Sequence, residues 1–157
     1  MDDAEVAAFL EEERTVVVGT NGPDGWPHLM PLWFVTRFAR PDSQARPLGD
    51  VTLWAWTYAA SQKVRNLERD SRCTWQVEAG AEYSELRGVM VKAECVVHRD
   101  VEAVWSVGAE LARRYGGASI TPDVEAALRK QAAKRVALRF VERERATWDH
   151  RKLGDAY

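Results

Sequence analysis

The chain has 157 residues, of which 46% are hydrophobic and 29% charged, as expected for one ordinary globular domain with a buried core. A net charge of -2 and a pI near 6.0 argue against a nucleic-acid-binding surface or an anionic-membrane binder. The apolar runs are too short to cross a bilayer and the acidic start is unlike a signal peptide, so we expect a single cytoplasmic domain over residues 1–157.

Taken in chain order, segments of helical and strand periodicity alternate with clusters of turn residues. The predicted elements are a helix over 4–12, strands over 14–20 and 26–37, a loop over 39–49, a strand over 51–58, a helix over 61–69, strands over 72–78 and 85–99, helices over 101–115 and 121–134, a strand over 136–141 and a polar tail over 146–157. Strands with hairpin-like connections and no regular helix alternation predict a mainly β (α+β) fold, a six-stranded antiparallel barrel with peripheral helices.

Two of the predicted strands contain residues that interrupt regular pairing. Pro27 and Pro31 lie in the second strand, and because proline has no backbone N–H, part of that strand is predicted to be an edge or a bulge. Gly88 in the fifth strand indicates a bend. Cys73 and Cys95 lack the spacing of zinc ligands and are predicted to be reduced core residues.

Tryptophan is unusually frequent, with seven residues in this short chain. Because a buried indole N–H must find a partner, tryptophan is an expensive residue to use as plain core filler. Several of the seven are therefore candidates for the wall of a planar-ligand site or for a subunit interface, while core packing explains any single one equally well. The seven are Trp26, Trp33, Trp54, Trp56, Trp75, Trp105 and Trp148.

The stretch over 54–67 carries the strongest indication of a binding site, because a strand there leads through a short turn into a helix. The first turn of a helix presents unpaired N–H groups and the positive end of the helix dipole, which suit a phosphate. Ser61 adds a hydroxyl at the predicted N-cap, and Lys63 adds a charge in the first turn. A cation opposes the dipole there unless an anion binds beside it, so we predict a phosphate site, with a solvent-exposed lysine as the alternative.

The strand over 28–34 and the tail over 146–153 are two further candidate regions. In the first, Pro31 interrupts the hydrogen-bond ladder and leaves some backbone groups unpaired. These backbone groups can face the edge of a ligand ring, and Trp33 lies beside them. A plain core strand with an edge bulge is the alternative. The tail combines an aromatic residue, His150 and two cations, and it is either a solvated C-terminus or a segment that reaches the site of a second subunit.

Four motifs together resemble a known family over residues 5–153. These motifs are VVVGTNGPDGWPHLMPLWF, LWAWTYAASQKVRNLERDSR, ELRGVMVKAE and ATWDHRKL. The chain resembles the flavin/deazaflavin oxidoreductases of the pyridoxamine 5'-phosphate oxidase-like split barrel, and within them the branch that uses coenzyme F420. The second motif is the most specific of the four.

The resemblance implies a split β-barrel that works as a homodimer with cofactor sites at the subunit interface. The implied cofactor is coenzyme F420, with FMN as the alternative. The implied cofactor-binding residues are Met30, Pro31, Leu32 and Trp33 at the ring, Trp56 and Tyr58 beside it, Thr57, Ser61, Gln62 and Lys63 at the phosphate, and Trp148, His150 and Arg151, which reach across to close the other subunit's pocket.

The leading functional hypothesis is an oxidoreductase in which a reduced deazaflavin passes hydride to a small organic substrate. The protein would supply orientation and a dry, positively charged pocket, so no catalytic residue is assigned. Should the product need a proton, His150 or Tyr58 would donate it. Two alternatives remain: an FMN-dependent flavin reductase or oxidase of the same fold, and a non-catalytic protein that binds a flavin or haem.

Overall fold

The computed structural model describes residues 1–38, 51–117 and 119–154, and the predicted loop over 39–49 lies outside these ranges. The helices and strands are α1 (Asp3–Glu12), β1 (Thr15–Asn21), β2 (Pro27–Phe38), β3 (Val51–Tyr58), α2 (Gln62–Arg69), β4 (Arg72–Ala79), β5 (Arg87–His98), α3 (Val101–Gly116), α4 (Pro122–Ala132) and β6 (Arg135–Asp149). Their order is the predicted one. Short 3-10 helices cover Tyr83–Glu85 and His150–Lys152.

The strands form a closed antiparallel barrel in the order β1-β2-β3-β6-β5-β4. Alternate side chains of each strand point into the barrel, as the two-residue period of a strand requires. Every strand contributes at least one fully buried apolar residue to the interior: Val16, Phe34, Leu53, Trp75, Val89 and Leu138. The predicted mainly β fold, a six-stranded antiparallel barrel with peripheral helices, is confirmed.

The helices pack on the barrel through apolar faces. Helix α1 inserts Phe9 and Leu10 into the barrel core, and α2 does the same with Val64 and Leu67. Helices α3 and α4 build a second apolar cluster against the outer side of the barrel around Val35. The buried residues of α1 and α2 recur at helical spacing and therefore lie on one face of each helix.

The barrel wall opens between β2 and β3. Strand β2 pairs with β1 over Pro27–Trp33, but it pairs with β3 only over Phe34–Phe38. The last three residues of β3, from Trp56 to Tyr58, pair with β6 alone. The first half of β2 is thus an edge, as its prolines predict, and its residues pair one to one with β1, so the alternative of a bulge is wrong.

Strands β5 and β6 differ from the sequence-based expectation. Strand β6 runs to Asp149 rather than ending at residue 141, and its second half forms a ladder with β5. The irregularity in the register of these strands falls at Lys92 and Ala93, whereas Gly88 pairs regularly with Trp148, and the bend at Gly88 stays a prediction. Gly88 lies under the indole of Trp148: a Cβ there would come within 2.2 Å of the ring.

Both cysteines are free and buried, which confirms their assignment to the core. Burial raises the pKa of the Cys73 thiol to about 12 and raises that of Cys95 as well, so both stay protonated. Among the residues that the structure describes, no group of His, Cys, Asp or Glu side chains is arranged to hold a metal ion. None of the described helices is long and apolar enough to span a membrane.

Candidate functional site

The opening between β2 and β3 forms a cavity of about 350 Å³. Its lining residues are Thr15, Pro31, Leu32, Trp33 and Trp56. Four of these were predicted to lie at a cofactor ring, and the structure brings them together from two strands that part at this point. Apolar and aromatic walls of this kind are typical of small-molecule sites.

Trp33 stands at the edge of this cavity with 59% of its surface exposed. Its indole stacks on the ring of Tyr115 at the end of α3, with ring centres 4.6 Å apart and planes 8° from parallel. Met30, two β2 residues before Leu32, is also partly exposed and points to the same side of the strand as Leu32. Sequence reasoning missed Tyr115, because it lies in a helix far along the chain.

Lys63 and Thr57 form a buried polar pair next to the opening. The Lys63 ammonium donates a hydrogen bond to Thr57 Oγ1 at 3.0 Å, and the lysine is only 7% exposed, so the alternative of a solvent-exposed lysine is wrong. Burial lowers the pKa of Lys63. No carboxylate pairs with this ammonium in the described part of the chain. A buried cation without a counter-ion is costly unless an anion binds beside it.

Ser61 occupies the N-cap of α2, as predicted, but its hydroxyl makes no capping hydrogen bond. The Ser61 Oγ is buried and has no partner among the residues that the structure describes. The first intrahelical bonds run from the N–H groups of Val64 and Arg65 to the Ser61 carbonyl, and the earlier N–H groups have no intrahelical acceptor. Hydroxyl, ammonium and helix N-terminus thus gather at the start of α2, where an oxyanion would satisfy them.

A chain of amides fixes the first turn of α2 to β1. Gln62 Nε2 donates to Asn66 Oδ1 at 2.9 Å, and Asn66 Nδ2 donates to Thr20 Oγ1 at 3.0 Å. Asn66 is fully buried. His28 pairs with Thr20 across the strands, and its Nδ1 atom is buried without a partner in the described part of the chain. Sequence reasoning missed Asn66 and His28. The signal for Asn66 was available: it follows Lys63 by three residues and so shares its helix face.

Tyr58 and Trp56 lie against the guanidinium of Arg135. Its central carbon is 4.5 Å from the Trp56 ring centre and 4.1 Å from that of Tyr58. Gln131 of α4 accepts two hydrogen bonds from the same guanidinium, at 2.7 and 3.2 Å. Arg135 therefore supplies a second cation next to the opening, and sequence reasoning missed it because strand pairing, not spacing, brings it to Tyr58.

The three predicted tail residues lie at the other end of β6, near Arg87 rather than near α2. Trp148 covers Gly88, and His150 Nδ1 lies 2.9 Å from the Tyr83 carbonyl. The structure does not bring this tail to the phosphate-site residues of its own subunit. Its contribution to another subunit's pocket stays a prediction.

Asp149 ties Arg151 to the end of β6. Its carboxylate accepts bonds from Arg151 Nε at 2.8 Å and Nη2 at 2.7 Å, and this contact lowers its pKa to about 2. Its side chain is 3% exposed, whereas that of Arg151 is half exposed.

We expect Asp149→Asn to lower the free energy of unfolding by about 1 kcal/mol at neutral pH, since the arginine is partly screened. The contribution of a carboxylate with a depressed pKa is present above its ordinary value of 3.8 and is lost as pH falls towards 2. Thermal unfolding of both proteins should therefore show a stability gap at pH 7 that closes over this range. A gap that stays constant with pH would contradict the assignment.

These features define a split-barrel protein with an aromatic cleft and a polar site at the start of one helix. The sequence matches the family model described as pyridoxamine 5'-phosphate oxidase over residues 2–149, and the chain belongs to this family. The search of curated proteins finds no match.

Three solved structures illustrate the range of its relatives. The conserved hypothetical protein Rv2991 from Mycobacterium tuberculosis is 36% identical, with a TM-score of 0.83 over 98% of this chain and 88% of that one. An F420 reductase is 18% identical (TM-score 0.62, 88% and 94% covered), and the haem storage protein HutZ from Vibrio cholerae is 15% identical (TM-score 0.63, 95% of each chain). The last two likenesses show the fold alone.

Proposed function

We propose that this protein is an oxidoreductase that binds coenzyme F420 through a phosphate at the start of α2 and serves hydride transfer to a small organic substrate. The observation that carries the proposal is the buried Lys63 ammonium, which has no carboxylate partner among the described residues and lies in the same turn as the partnerless Ser61 hydroxyl. An anionic group would satisfy both at once. The cavity beside Trp33 and Trp56 is the matching place for a planar ring.

The roles of the protein's own residues follow from this arrangement. When bound, the deazaflavin supplies the hydride chemistry. Lys63 and Ser61 bind the phosphate, and Gln62 fixes the turn that carries them through its bond to Asn66. Trp33 and Trp56 exclude water from the ring, and low water content strengthens the charge interactions around it.

FMN is the second candidate, because it also joins a planar ring to a phosphate and because the family model describes an oxidase of a phosphorylated substrate. The F420 reductase among the structural relatives favours the deazaflavin. The haem storage protein among the structural relatives makes haem the third candidate ligand.

Fluorescence titration of the purified protein with F420, FMN and haem separates these ligands. We expect saturable binding of F420 that is tighter than that of FMN, and competition by inorganic phosphate. Tighter binding of FMN would contradict F420 as the cofactor and would favour an FMN-dependent oxidoreductase. Binding of haem alone, with no response to either phosphate-bearing cofactor, would refute the proposed function.

We further propose a homodimer that uses the uncovered outer face of β1 and β2. Thr15, Val17 and Gly19 pair with Trp33, Pro31 and Leu29, so these side chains share one face of the ladder. Val17, Leu29 and Trp33 are exposed apolar residues on it.

The same outer face continues across the barrel to the tail. Val17 pairs with Gln76, Gln76 with Met90 and Met90 with Ala146, which lies two residues before Trp148 on the same side of β6. The apolar part of this face on β1 and β2, which holds Val17, Leu29 and Trp33, is an exposed patch of the kind that is typical of an interface. In this dimer the partner's Trp148, the partner's His150 and the partner's Arg151 close the cleft.

Val17→Glu is expected to convert the dimer to a monomer, because it places a charge in the centre of the apolar patch. Val96→Glu is the matched control, because Val96 also lies in a strand and is 38% exposed, against 41% for Val17. Val96 pairs with Arg139 of β6 and lies outside the proposed interface. Light scattering at micromolar concentration measures the mass. A monomeric wild type, or a Val17→Glu protein that remains dimeric, would refute this interface.

A further inference from the structure

Tyr115 contacts the cleft through Trp33. It lies in the last turn of α3, outside the set of cavity-lining residues, and its ring stacks almost parallel to the indole of Trp33 at 4.6 Å. Two guanidinium groups hold the tyrosine ring in place: those of Arg14 and Arg114 lie 5.7 and 6.0 Å from its centre. The ring that stacks on Trp33 is therefore also in contact with two cations.

The Tyr115 hydroxyl bonds to the backbone where β2 changes partners. It accepts a hydrogen bond from the Phe34 N–H at 3.1 Å and lies 2.9 Å from the Phe34 carbonyl and 2.7 Å from the Arg14 carbonyl, to one of which it donates. Trp33 is the last β2 residue paired with β1, and Phe34 is the first paired with β3. The hydroxyl thus supplies partners to backbone groups at the mouth of the opening.

We infer that Tyr115 is a positioning residue, which holds the exposed indole of Trp33 in the orientation that makes it a wall for a planar ring. The inference rests on the proposed function of the cleft. A tryptophan with more than half its surface in water has several accessible rotamers, and selecting one of them costs conformational entropy. If one rotamer is fixed before the ligand binds, the free energy of binding does not include this entropy cost. Tyr115 fixes it through the stack, and the hydroxyl fixes the backbone on which Trp33 stands.

The first test needs no cofactor. In protein labelled with 5-fluorotryptophan, the Trp33 signal in the fluorine NMR spectrum is identified by its loss in Trp33→Phe. We expect Tyr115→Leu to shift or broaden that signal, because the stacked ring is removed, and Tyr115→Phe to change it less, because the ring is kept and only the hydroxyl contacts are lost. The signal of Trp26, which is 76% exposed in the β1–β2 turn, should move in neither variant. An unchanged Trp33 signal in Tyr115→Leu would overturn the inference.

The second test uses F420, FMN and inorganic phosphate as separate probes. Tyr115→Leu should weaken binding of both ring-bearing cofactors by about threefold to tenfold, the range of an aromatic stack, and leave the affinity for inorganic phosphate unchanged. Tyr115→Phe should retain most of the cofactor affinity. In a Trp33→Leu background, Tyr115→Leu should have no further effect, because the residue through which it acts is gone.

The outcomes separate this inference from the proposed function. A wild type that binds neither cofactor refutes the proposed function, and the fluorine spectra still decide whether Tyr115 orients Trp33. Equal weakening of cofactor and phosphate binding in Tyr115→Leu, or a further loss in the Trp33→Leu background, shows a general structural role and overturns the inference.

Discussion

Replacing Lys63 with methionine is expected to weaken binding of F420 or FMN by roughly 10- to 100-fold, the effect of losing a hydrogen bond from a charged group. Free of ligand, the variant should be at least as stable as the wild type. The folded wild type buries an ammonium whose only protein partner among the described residues is the neutral Thr57 hydroxyl, and burial lowers its pKa. Methionine has a similar length and removes that desolvation cost.

Lys130→Met is the matched control, because Lys130 lies exposed on α4 and outside the cleft. It should change neither stability nor cofactor affinity. Isothermal titration gives the affinity, and chemical unfolding of the apoprotein gives the stability. A Lys63→Met protein that unfolds several kcal/mol more easily but binds cofactor normally would show that Lys63 serves the fold instead of the ligand.

The barrel and the position of the phosphate-site residues could be predicted because their signals are local. Strand alternation and turn residues mark the strands, and Ser61 marks the start of α2. Lys63 was predicted to lie at a phosphate site because a cation is unfavourable in a first helical turn. The structure shows that this lysine is buried. The absence of a capping hydrogen bond at the Ser61 hydroxyl, which has no partner among the described residues, was not predictable, since the capping pattern says nothing about the surroundings of the helix end.

The rest of the site depends on strand register and on contacts between distant segments. Tyr115 meets the backbone of Phe34, 81 residues earlier in the chain, and Arg135 reaches Tyr58 only because β6 pairs with β3. The second half of β6 was missed because its side chains are mostly charged and partly exposed on both faces, so no apolar alternation marks it as a strand. Backbone pairing with β5 makes this segment a strand, although its side-chain pattern does not predict one.

Gly108→Ala is the second substitution with a large expected effect. Gly108 is a buried residue within α3, and a Cβ at this position would lie 2.5 Å from Cζ3 of Trp56. Within a helix, alanine is more favourable than glycine by about 1 kcal/mol. Overpacking against a fixed aromatic ring costs about 1–3 kcal/mol. We expect a net loss of stability of about 1 kcal/mol and, because Trp56 must move relative to the cavity, weaker binding of a ring-bearing cofactor.

Gly116→Ala gives the same chemical change at the end of the same helix, where a Cβ would have no neighbour within 4 Å. It should be neutral or slightly stabilising and leave cofactor affinity unchanged, so the difference between the two variants isolates the contact with Trp56. Thermal unfolding and cofactor titration measure the two effects. Equal stability and equal cofactor affinity of the two variants would contradict this prediction. That result would show that Trp56 can move away from α3 without loss, and that the close approach of α3 does not shape the cleft.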